Sequence, residues 1–177
     1  GRSAADHPRF GRPGLQPLEL VQTVPAHLLL EASPVNLQDG EPGLSTIRAA
    51  LGRGMHVVTP NKGPLVLAYP ELTALARQHG ARLRFCGTVA GGLPALNLGR
   101  RDLAGATIHL LETCPNLTAN YVLFQMLEGA TYDEATAVAR REGVVEADPS
   151  LDLEGWDAAN KLVILCNHVL GLPTTLG

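Results

Sequence analysis

The sequence has no block of basic residues, no long apolar run and no even set of cysteines. Lys and Arg number 14 against 17 Asp and Glu, so the formal net charge is −3. This balance gives no reason to expect nucleic acid or an anionic membrane surface as a partner. No apolar run approaches the roughly 18 residues that a membrane span needs. We therefore expect a small molecule as the partner.

The cysteines and histidines are too few or too scattered for a structural metal site or a disulfide framework. Cys86, Cys114 and Cys166 are odd in number and show no Cys-x-x-Cys spacing. Buried free thiols in a reducing cytoplasm fit this pattern better. The G-x-G-x-x-G motif of dinucleotide-binding domains is also absent. Because the chain begins with Gly1 rather than Met, we expect a fragment whose native reading frame extends upstream into that motif.

Hydrophobic periodicity predicts an α/β fold. Residues 27–33 and 55–60 form short apolar runs, and Leu44, Ile47 and Leu51 recur between them at helical spacing. Strand, helix and strand within about 30 residues predict a parallel βαβ unit with a right-handed crossover.

The rest of the chain is divided as follows. Helices are expected at 65–80, with an interruption at Pro70, and at 118–129. A third helix is expected to start at a capping box, Thr131–Glu134, and to end at Gly143, and the longest is expected at 152–170. Strands are expected at 82–88 and 106–113. We predict an irregular segment at 1–25, a partial dinucleotide-binding parallel sheet at 26–80, and an α+β substrate and dimerisation domain at 81–177.

Asp157 and Lys161 are the strongest candidates for chemistry. Four residues apart on a predicted helix, they share one face. Such pairs are commonly solvated salt bridges, and that interpretation stays open from spacing alone. However, the apolar run that follows Lys161 places the ammonium where a positioned lysine could donate a proton to a carbonyl oxygen. Glu146 and Asp148 precede this helix in a loop.

Ser33 and Lys62 follow the first and second predicted strands. Ligands of open parallel sheets bind beyond the carboxyl ends of the strands, so both side chains are placed to reach one. A turn serine and an exposed loop lysine are the alternatives. The bend Ala90-Gly91-Gly92 could bring backbone groups close to a ligand or ion, although such bends are usually simple turns.

Three segments together resemble the homoserine dehydrogenase family: EASPVNLQDGEPGLSTIRAALGRGMHVVTPNKGPL at 31–65, LPALNLGRRDLAGA at 93–106 and VVEADPSLDLEGWDAANKLVIL at 144–165. They occur in the family's order. The resemblance implies interconversion of L-aspartate 4-semialdehyde and L-homoserine with NAD(P)H, in threonine and methionine biosynthesis. It also implies a cytoplasmic homodimer paired through the sheet of the substrate domain. The residue that selects NAD or NADP lies outside these segments.

The resemblance also implies roles for individual residues. Lys161 would donate the proton to the aldehyde oxygen, and Lys62 would be a second catalytic lysine that also contacts cofactor. Asp157 and Glu146 would bind substrate. The implied cofactor contacts are Ser33, Lys62, Gly143 and Glu146, and the implied ligands of a monovalent cation, Na or K, are the carbonyls of Val89, Gly91 and Leu93.

Two positions depart from the family pattern. Cys86 stands where the family has a glutamate at the cation site, which removes the expected carboxylate. Leu117 replaces a glycine, and this leucine either blocks a backbone geometry or fills space that cofactor or substrate needs. The alternatives to an enzyme are therefore a non-catalytic relative that acts as a binding or assembly module, and an α/β ligand-binding fragment.

Overall fold

The computed structural model describes residues 6–9, 11–145 and 150–176, with only the backbone of residue 150. It contains two compact units, Gly1–Phe85 and Cys86–Gly177, called the first and second unit below. Among the described residues, no helix is both long and apolar enough to cross a membrane.

The first unit is a three-stranded parallel sheet with helices between its strands. Its elements are α1 (Pro17–Thr23), β1 (Leu28–Leu30), α2 (Gly43–Gly52), β2 (His56–Val58), α3 (Lys62–Gln78) and β3 (Leu83–Arg84). The strand order is β1-β2-β3, with Leu29 opposite Val57 and Val57 opposite Leu83. The predicted parallel βαβ unit and the α/β fold class are confirmed.

The core of the first unit follows from the apolar spacing of its sequence. Ile47 and Leu51 of α2, Val57 of β2, and Leu65 and Leu72 of α3 are fully buried. Each such side chain contributes roughly 1.5–3 kcal/mol on burial. The same packing fixes the ends of β1 and β2, and the candidate site residues Ser33 and Lys62 follow these strands in the sequence.

Two predictions for the first unit are wrong in part. The irregular segment expected at 1–25 contains helix α1, which starts at Pro17, where the missing N–H of proline costs no helical hydrogen bond. The strand expected at 82–88 ends at Arg84, because Cys86–Thr88 turn into a 3-10 helix. The predicted interruption of α3 is confirmed, with a non-helical Ala68 two residues before Pro70.

The described part of the second unit is helical. Its α-helices are α4 (Ala95–Asn97), α5 (Leu117–Leu127), α6 (Tyr132–Arg141), α7 (Ser150–Leu153) and α8 (Trp156–Leu165), and Leu98–Asp102 and Cys166–Leu170 are π-helical. Val122, Ala135, Ala139 and Val145 form a buried cluster. The capping box at Thr131 and Glu134 is confirmed.

Two further predictions fail in this unit. Residues 106–113 form no strand, because the described residues of the second unit offer no neighbouring strand with which to pair. The single helix expected at 152–170 is divided at Gly155, whose φ of 84° is left-handed and ends α7 before α8 begins. The longest described helix is therefore α3.

Candidate functional site

Asn116 joins two carboxylates in the second unit. Its Nδ2 atom lies 2.8 Å from Oδ1 of Asp152 and 2.8 Å from Oδ2 of Asp157. Its Oδ1 accepts from the backbone N–H of Ala119, 2.7 Å away, and so caps the start of α5. An amide has two N–H bonds and one carbonyl oxygen, so every polar group of this buried side chain is occupied.

Lys161 contacts the same oxygen of Asp157 as Asn116 does. Its Nζ is 2.6 Å from Oδ2 of Asp157 and donates to the Pro115 carbonyl, also at 2.6 Å. The side chains of Lys161 and Asp157 are only 17% and 10% exposed. The pair is therefore a largely desolvated ion pair, and the solvated salt bridge that spacing left open is wrong.

Helix ends determine where these groups lie. Asp157 is in the first turn of α8, where a carboxylate is favoured by the helix dipole. Asp152 comes from α7, on the other side of the Gly155 break. Because Gly155 turns the chain between them, both carboxylates reach Asn116. We call Asn116, Asp152, Asp157 and Lys161 the acid–lysine cluster.

The acid–lysine cluster has the charges needed to hold a cationic group and to donate a proton. Two carboxylates and one ammonium leave one negative charge over, which favours a ligand ammonium. Two N–H bonds of the Lys161 ammonium have partners among the described residues, and an ammonium has a third N–H with which it could donate to a ligand oxygen. A groove of about 370 Å³ lies against Pro115 and the α8 residues Ala158, Ala159 and Leu162.

A second polar cluster lies in the first unit, at the carboxyl ends of β1 and β2. Glu31 accepts hydrogen bonds from the backbone N–H of Ser33 at 2.7 Å, from the Ser33 hydroxyl and from the Thr59 hydroxyl at 2.6 Å. Asn61 donates to the Ser33 hydroxyl at 3.3 Å and caps α3 by accepting from the N–H of Gly63. We call Glu31, Ser33, Thr59 and Asn61 the strand-end cluster.

Two glycines allow the chain to pack tightly around the strand-end cluster. A Cβ at Gly43 would lie 2.8 Å from Nδ2 of Asn61, and one at Gly63 would lie 2.5 Å from the carbonyl oxygen of Asn36. A side chain at either position would therefore force Asn61 or the Asn36 backbone to shift. Ser33 and Lys62, the first residue of α3, are each half-buried and thus remain accessible at this edge.

Comparison with known proteins decides which family this arrangement belongs to. The family model described as homoserine dehydrogenase matches residues 94–177. A homoserine dehydrogenase of Methanocaldococcus jannaschii is 37% identical over 172 residues, 97% of this chain and 51% of the relative. This chain belongs to the homoserine dehydrogenase family.

Further relatives agree with this assignment. An NAD(+)-dependent homoserine dehydrogenase of Pseudomonas canavaninivorans is 43% identical over 151 residues, 85% of this chain and 43% of the relative. A hyperthermophilic archaeal homoserine dehydrogenase mutant in complex with NADPH superposes with a TM-score of 0.81 at 32% identity, covering 97% of this chain and 52% of that one. The chain spans about half the length of the curated relatives it matches.

The residues that the resemblance to homoserine dehydrogenases predicted are divided between the two units. The structure brings Asp157 and Lys161 together in the second unit and places Ser33 and Lys62 at strand ends of the first. Gly143, with a φ of 71°, ends α6 as predicted. Glu146 lies outside the described residues. The chain contains only two lysines, Lys62 and Lys161, and both are predicted catalytic residues.

The predicted cation ligands lie in a tight turn of the second unit. Val89 is buried, Gly91 has a φ of 56°, and Leu93 is exposed. Cys86, in the place of the family's glutamate, donates from its sulfur to Oδ1 of Asn97 at 3.1 Å. The thiol therefore takes part in a local hydrogen bond, and the cation site stays a prediction.

Leu117, which replaces a glycine of the family pattern, lies at the exposed start of a helix. It is the first residue of α5, has no left-handed φ, and its side chain is 73% exposed. An exposed side chain does not fill the interior of the second unit. Both expectations for Leu117, a blocked backbone geometry and space taken from cofactor or substrate, stay predictions.

Near the end of α6, a tyrosine and a glutamate form a short hydrogen bond. The hydroxyl of Tyr121 donates to Oε2 of Glu142 at 2.5 Å, and this bond to a carboxylate raises the pKa of Tyr121 above its ordinary value. Glu142 directly precedes Gly143, a predicted cofactor contact. The bond ties α5 to the end of α6 and so fixes where the chain leaves that helix.

Sequence reasoning missed most of the residues that hold these groups in place. Asn116, Glu31, Thr59 and Asn61 are all buried and carry no catalytic signature. Two of them had a usable signal, because asparagine directly before a helix is a preferred N-cap residue. Thr59 and Glu31 are recognisable only once β1 and β2 are seen to be neighbours.

Proposed function

We propose that this chain provides the substrate-binding and proton-donating part of a homoserine dehydrogenase that interconverts L-aspartate 4-semialdehyde and L-homoserine with NAD(P)H. The observation that carries the proposal is the acid–lysine cluster. It combines two carboxylates, suited to the α-ammonium of an amino acid, with an ammonium suited to an aldehyde oxygen. This pairing of charges matches a substrate that has an ammonium group and a carbonyl group.

In the direction of reduction, the aldehyde carbon gains a hydride and its oxygen gains a proton, which yields the alcohol. A bound reduced nicotinamide supplies the hydride. Lys161 donates the proton, and its positive charge stabilises the negative charge that develops on the oxygen. Asp157 holds Lys161 in place and, with Glu146, binds the polar end of the substrate. In the reverse direction Lys161 takes the proton back.

The strand-end cluster suits the nicotinamide half of NAD(P). Its location at the carboxyl ends of parallel strands is where ligands of open α/β sheets bind. Ser33 and Lys62 would contact the cofactor there, and Lys62 would act as the second catalytic lysine. Gly143 and Glu146 stay cofactor contacts that the resemblance to the family implies. The tight packing at Gly43 supports this proposal, because a side chain there would displace Asn61, which donates to the Ser33 hydroxyl and caps the helix that begins at Lys62. The relative solved with NADPH supports the same cofactor class.

Two copies of the complete enzyme are proposed to pair through residues 106–113, within a cytoplasmic biosynthetic enzyme. The segment has no strand partner among the described residues, and Leu110 is 73% exposed. Sedimentation of the complete native protein should give a dimer, and Leu110→Glu should shift it towards monomer. A wild-type monomer would contradict the pairing.

Substrate selectivity tests the proposed function. The complete native protein should oxidise NADPH with L-aspartate 4-semialdehyde but only poorly with succinic semialdehyde, which keeps the aldehyde and lacks the α-amino group. Asp157→Asn should reduce this preference, because it removes one of the two carboxylates that attract the ammonium. Absence of turnover with either aldehyde would favour the non-catalytic binding module. Equal turnover would contradict the assigned role of the carboxylates.

A further inference from the structure

Glu31 is a buried carboxylate for which the proposed reaction has no use. It directly follows β1, is 5% exposed, and its backbone N–H donates to the Val58 carbonyl at 3.0 Å, which fixes it against β2. Burying a charged group is unfavourable unless hydrogen bonds satisfy it. Glu31 accepts three such bonds, all from residues at the two strand ends. The cost of burial is thus offset by bonds that organise this edge of the sheet.

One oxygen of Glu31 holds Ser33. Oε1 accepts from both the backbone N–H and the hydroxyl of Ser33. The single proton of the hydroxyl is therefore directed at Glu31, and the side-chain rotamer of Ser33 is fixed. Towards a ligand, the Ser33 hydroxyl offers a lone pair.

The other oxygen holds the start of α3. Oε2 accepts from the Thr59 hydroxyl at 2.6 Å, and Thr59 in turn accepts from the backbone N–H of Asn61 at 2.9 Å. Asn61 caps α3 through the N–H of Gly63, and Lys62 is the first residue of that helix. Glu31 is thus connected to the backbone on both sides of Lys62.

The two arms close into a ring. Nδ2 of Asn61 donates to the Ser33 hydroxyl oxygen at 3.3 Å, so the arm through Thr59 returns to the residue held by the other oxygen. A Cβ at Gly43 would lie 3.2 Å from Oε1 of Glu31 and 2.8 Å from Asn61, so α2 packs directly against this ring. Since one carboxylate holds both strand ends, we expect a displacement of Ser33 to displace Thr59 and Asn61 as well, and the reverse.

We propose that Glu31 is a positioning residue that sets the placement of Ser33 and Lys62 for one and the same cofactor. This inference rests on the proposed function, because it takes NAD(P) as the ligand of those two residues. A purely structural carboxylate would stabilise the first unit without coupling to the cofactor contact of Ser33. The distinction between the two is measurable.

A double-mutant cycle in the complete native enzyme tests the proposal. Ser33→Ala should raise KM for NADPH about threefold to tenfold, as loss of a hydrogen bond to a ligand does. Glu31→Ala should raise it at least as much. Adding Ser33→Ala to Glu31→Ala should raise KM for NADPH by less than about a further twofold, because Ser33 has already lost its cofactor contact when Glu31 no longer holds it. Glu19→Ala, which removes an exposed carboxylate of α1, serves as the control and should leave KM unchanged.

Hydrogen exchange of the chain without cofactor gives an independent readout. Glu31→Ala should speed exchange at the amides of Ser33, Asn61 and Gly63. Glu31→Gln keeps the volume of the side chain, and its amide oxygen can still accept from Ser33. Its amide nitrogen, however, then faces the Thr59 hydroxyl, which had donated to the carboxylate. Glu31→Gln should therefore affect Asn61 and Gly63 more than Ser33, and it replaces the alanine variant if that variant fails to fold.

The outcomes separate the inference from the proposed function. Additive effects of the two substitutions on KM, or unchanged exchange at all three amides, would overturn the positioning role. An enzyme that does not use NADPH would overturn the proposed function; the exchange pattern alone would then show whether Glu31 organises both strand ends, and unchanged exchange would again overturn that role.

Discussion

Nδ2 of Asn116 lies 2.8 Å from Oδ2 of Asp157, the same oxygen that pairs with Lys161 at 2.6 Å. One carboxylate oxygen thus receives a neutral donor from the start of α5 and a charged donor from within α8. This shared contact holds the proposed proton donor and the proposed ammonium-binding groups in one arrangement.

Replacing Asn116 by aspartate should disrupt the acid–lysine cluster. Asn116→Asp removes both amide donors and places a third carboxylate beside Asp152 and Asp157. We expect a loss of stability of about 1–3 kcal/mol, the usual cost when buried polar groups lose their partners, and a higher KM for the semialdehyde. Thermal unfolding and steady-state kinetics measure these effects. Asn120→Asp, at an exposed position of the same helix, is the matched control. An equal loss of stability in that variant would contradict the role of Asn116 in the acid–lysine cluster.

Two glycines provide a paired test of packing at the strand-end cluster. A Cβ at Gly63 would lie 2.5 Å from the Asn36 carbonyl oxygen, whereas one at Gly52 would meet nothing within 4 Å. Gly63→Ala should therefore destabilise the chain, by about 1–3 kcal/mol as overpacking does. Gly52→Ala, in a helical position, should be neutral or stabilise it by up to about 1 kcal/mol. Denaturant unfolding of both variants checks the difference, and an unchanged Gly63→Ala protein would refute the close packing.

The ion pair of Arg48 with Glu71 should make a small part of the stability depend on pH. Hydrogen bonds of 2.6 and 2.7 Å from the Arg48 guanidinium lower the pKa of Glu71 below its ordinary value. The pair therefore stabilises the fold above the unfolded-state pKa of about 4.3, and this contribution is lost as the pH falls through the lower folded-state pKa. Both side chains are about half exposed, so the effect should stay below about 1 kcal/mol.

Glu71→Gln measures this contribution. The free energy of unfolding of the Glu71→Gln variant should be slightly lower than that of the wild type at pH 7. The two should converge once the pH has fallen below the lowered folded-state pKa of Glu71, where the carboxylate is protonated in both states. A difference that persists or grows in acid would contradict the assignment of the stabilisation to the ionised pair.

The sequence was most informative where local pattern and tertiary structure agree. Apolar spacing at Leu44, Ile47 and Leu51 and the runs around β1 and β2 predicted the parallel βαβ unit, and the i,i+4 spacing placed Asp157 next to Lys161. These features depend on helical or strand periodicity alone, and this periodicity can be recognised within a short stretch of sequence.

What escaped prediction depends on contacts between distant residues. Glu31 meets Thr59 across 28 residues, and Asn116 meets Asp157 across 41, so no local pattern relates them. The break at Gly155 was missed because a lone glycine inside an apolar pattern is compatible with a helix until its left-handed φ is known. The strand predicted at 106–113 is absent for a related reason: the local sequence supplies a candidate, but a strand also needs a neighbouring strand with which to pair.

Turnover of two variants, one of which also removes the charge of Asp157, tests whether Lys161 is the proton donor. Lys161→Met leaves Asp157 buried without its cation, at a cost of about 3–5 kcal/mol, so it should be measured beside Lys161→Met combined with Asp157→Asn. In the complete native enzyme, both should reduce L-aspartate 4-semialdehyde about 10²–10⁴-fold more slowly than the wild type, the usual contribution of a positioned proton donor. The double variant should regain stability without regaining turnover. Wild-type turnover in either folded variant would contradict the assignment of Lys161 as the proton donor.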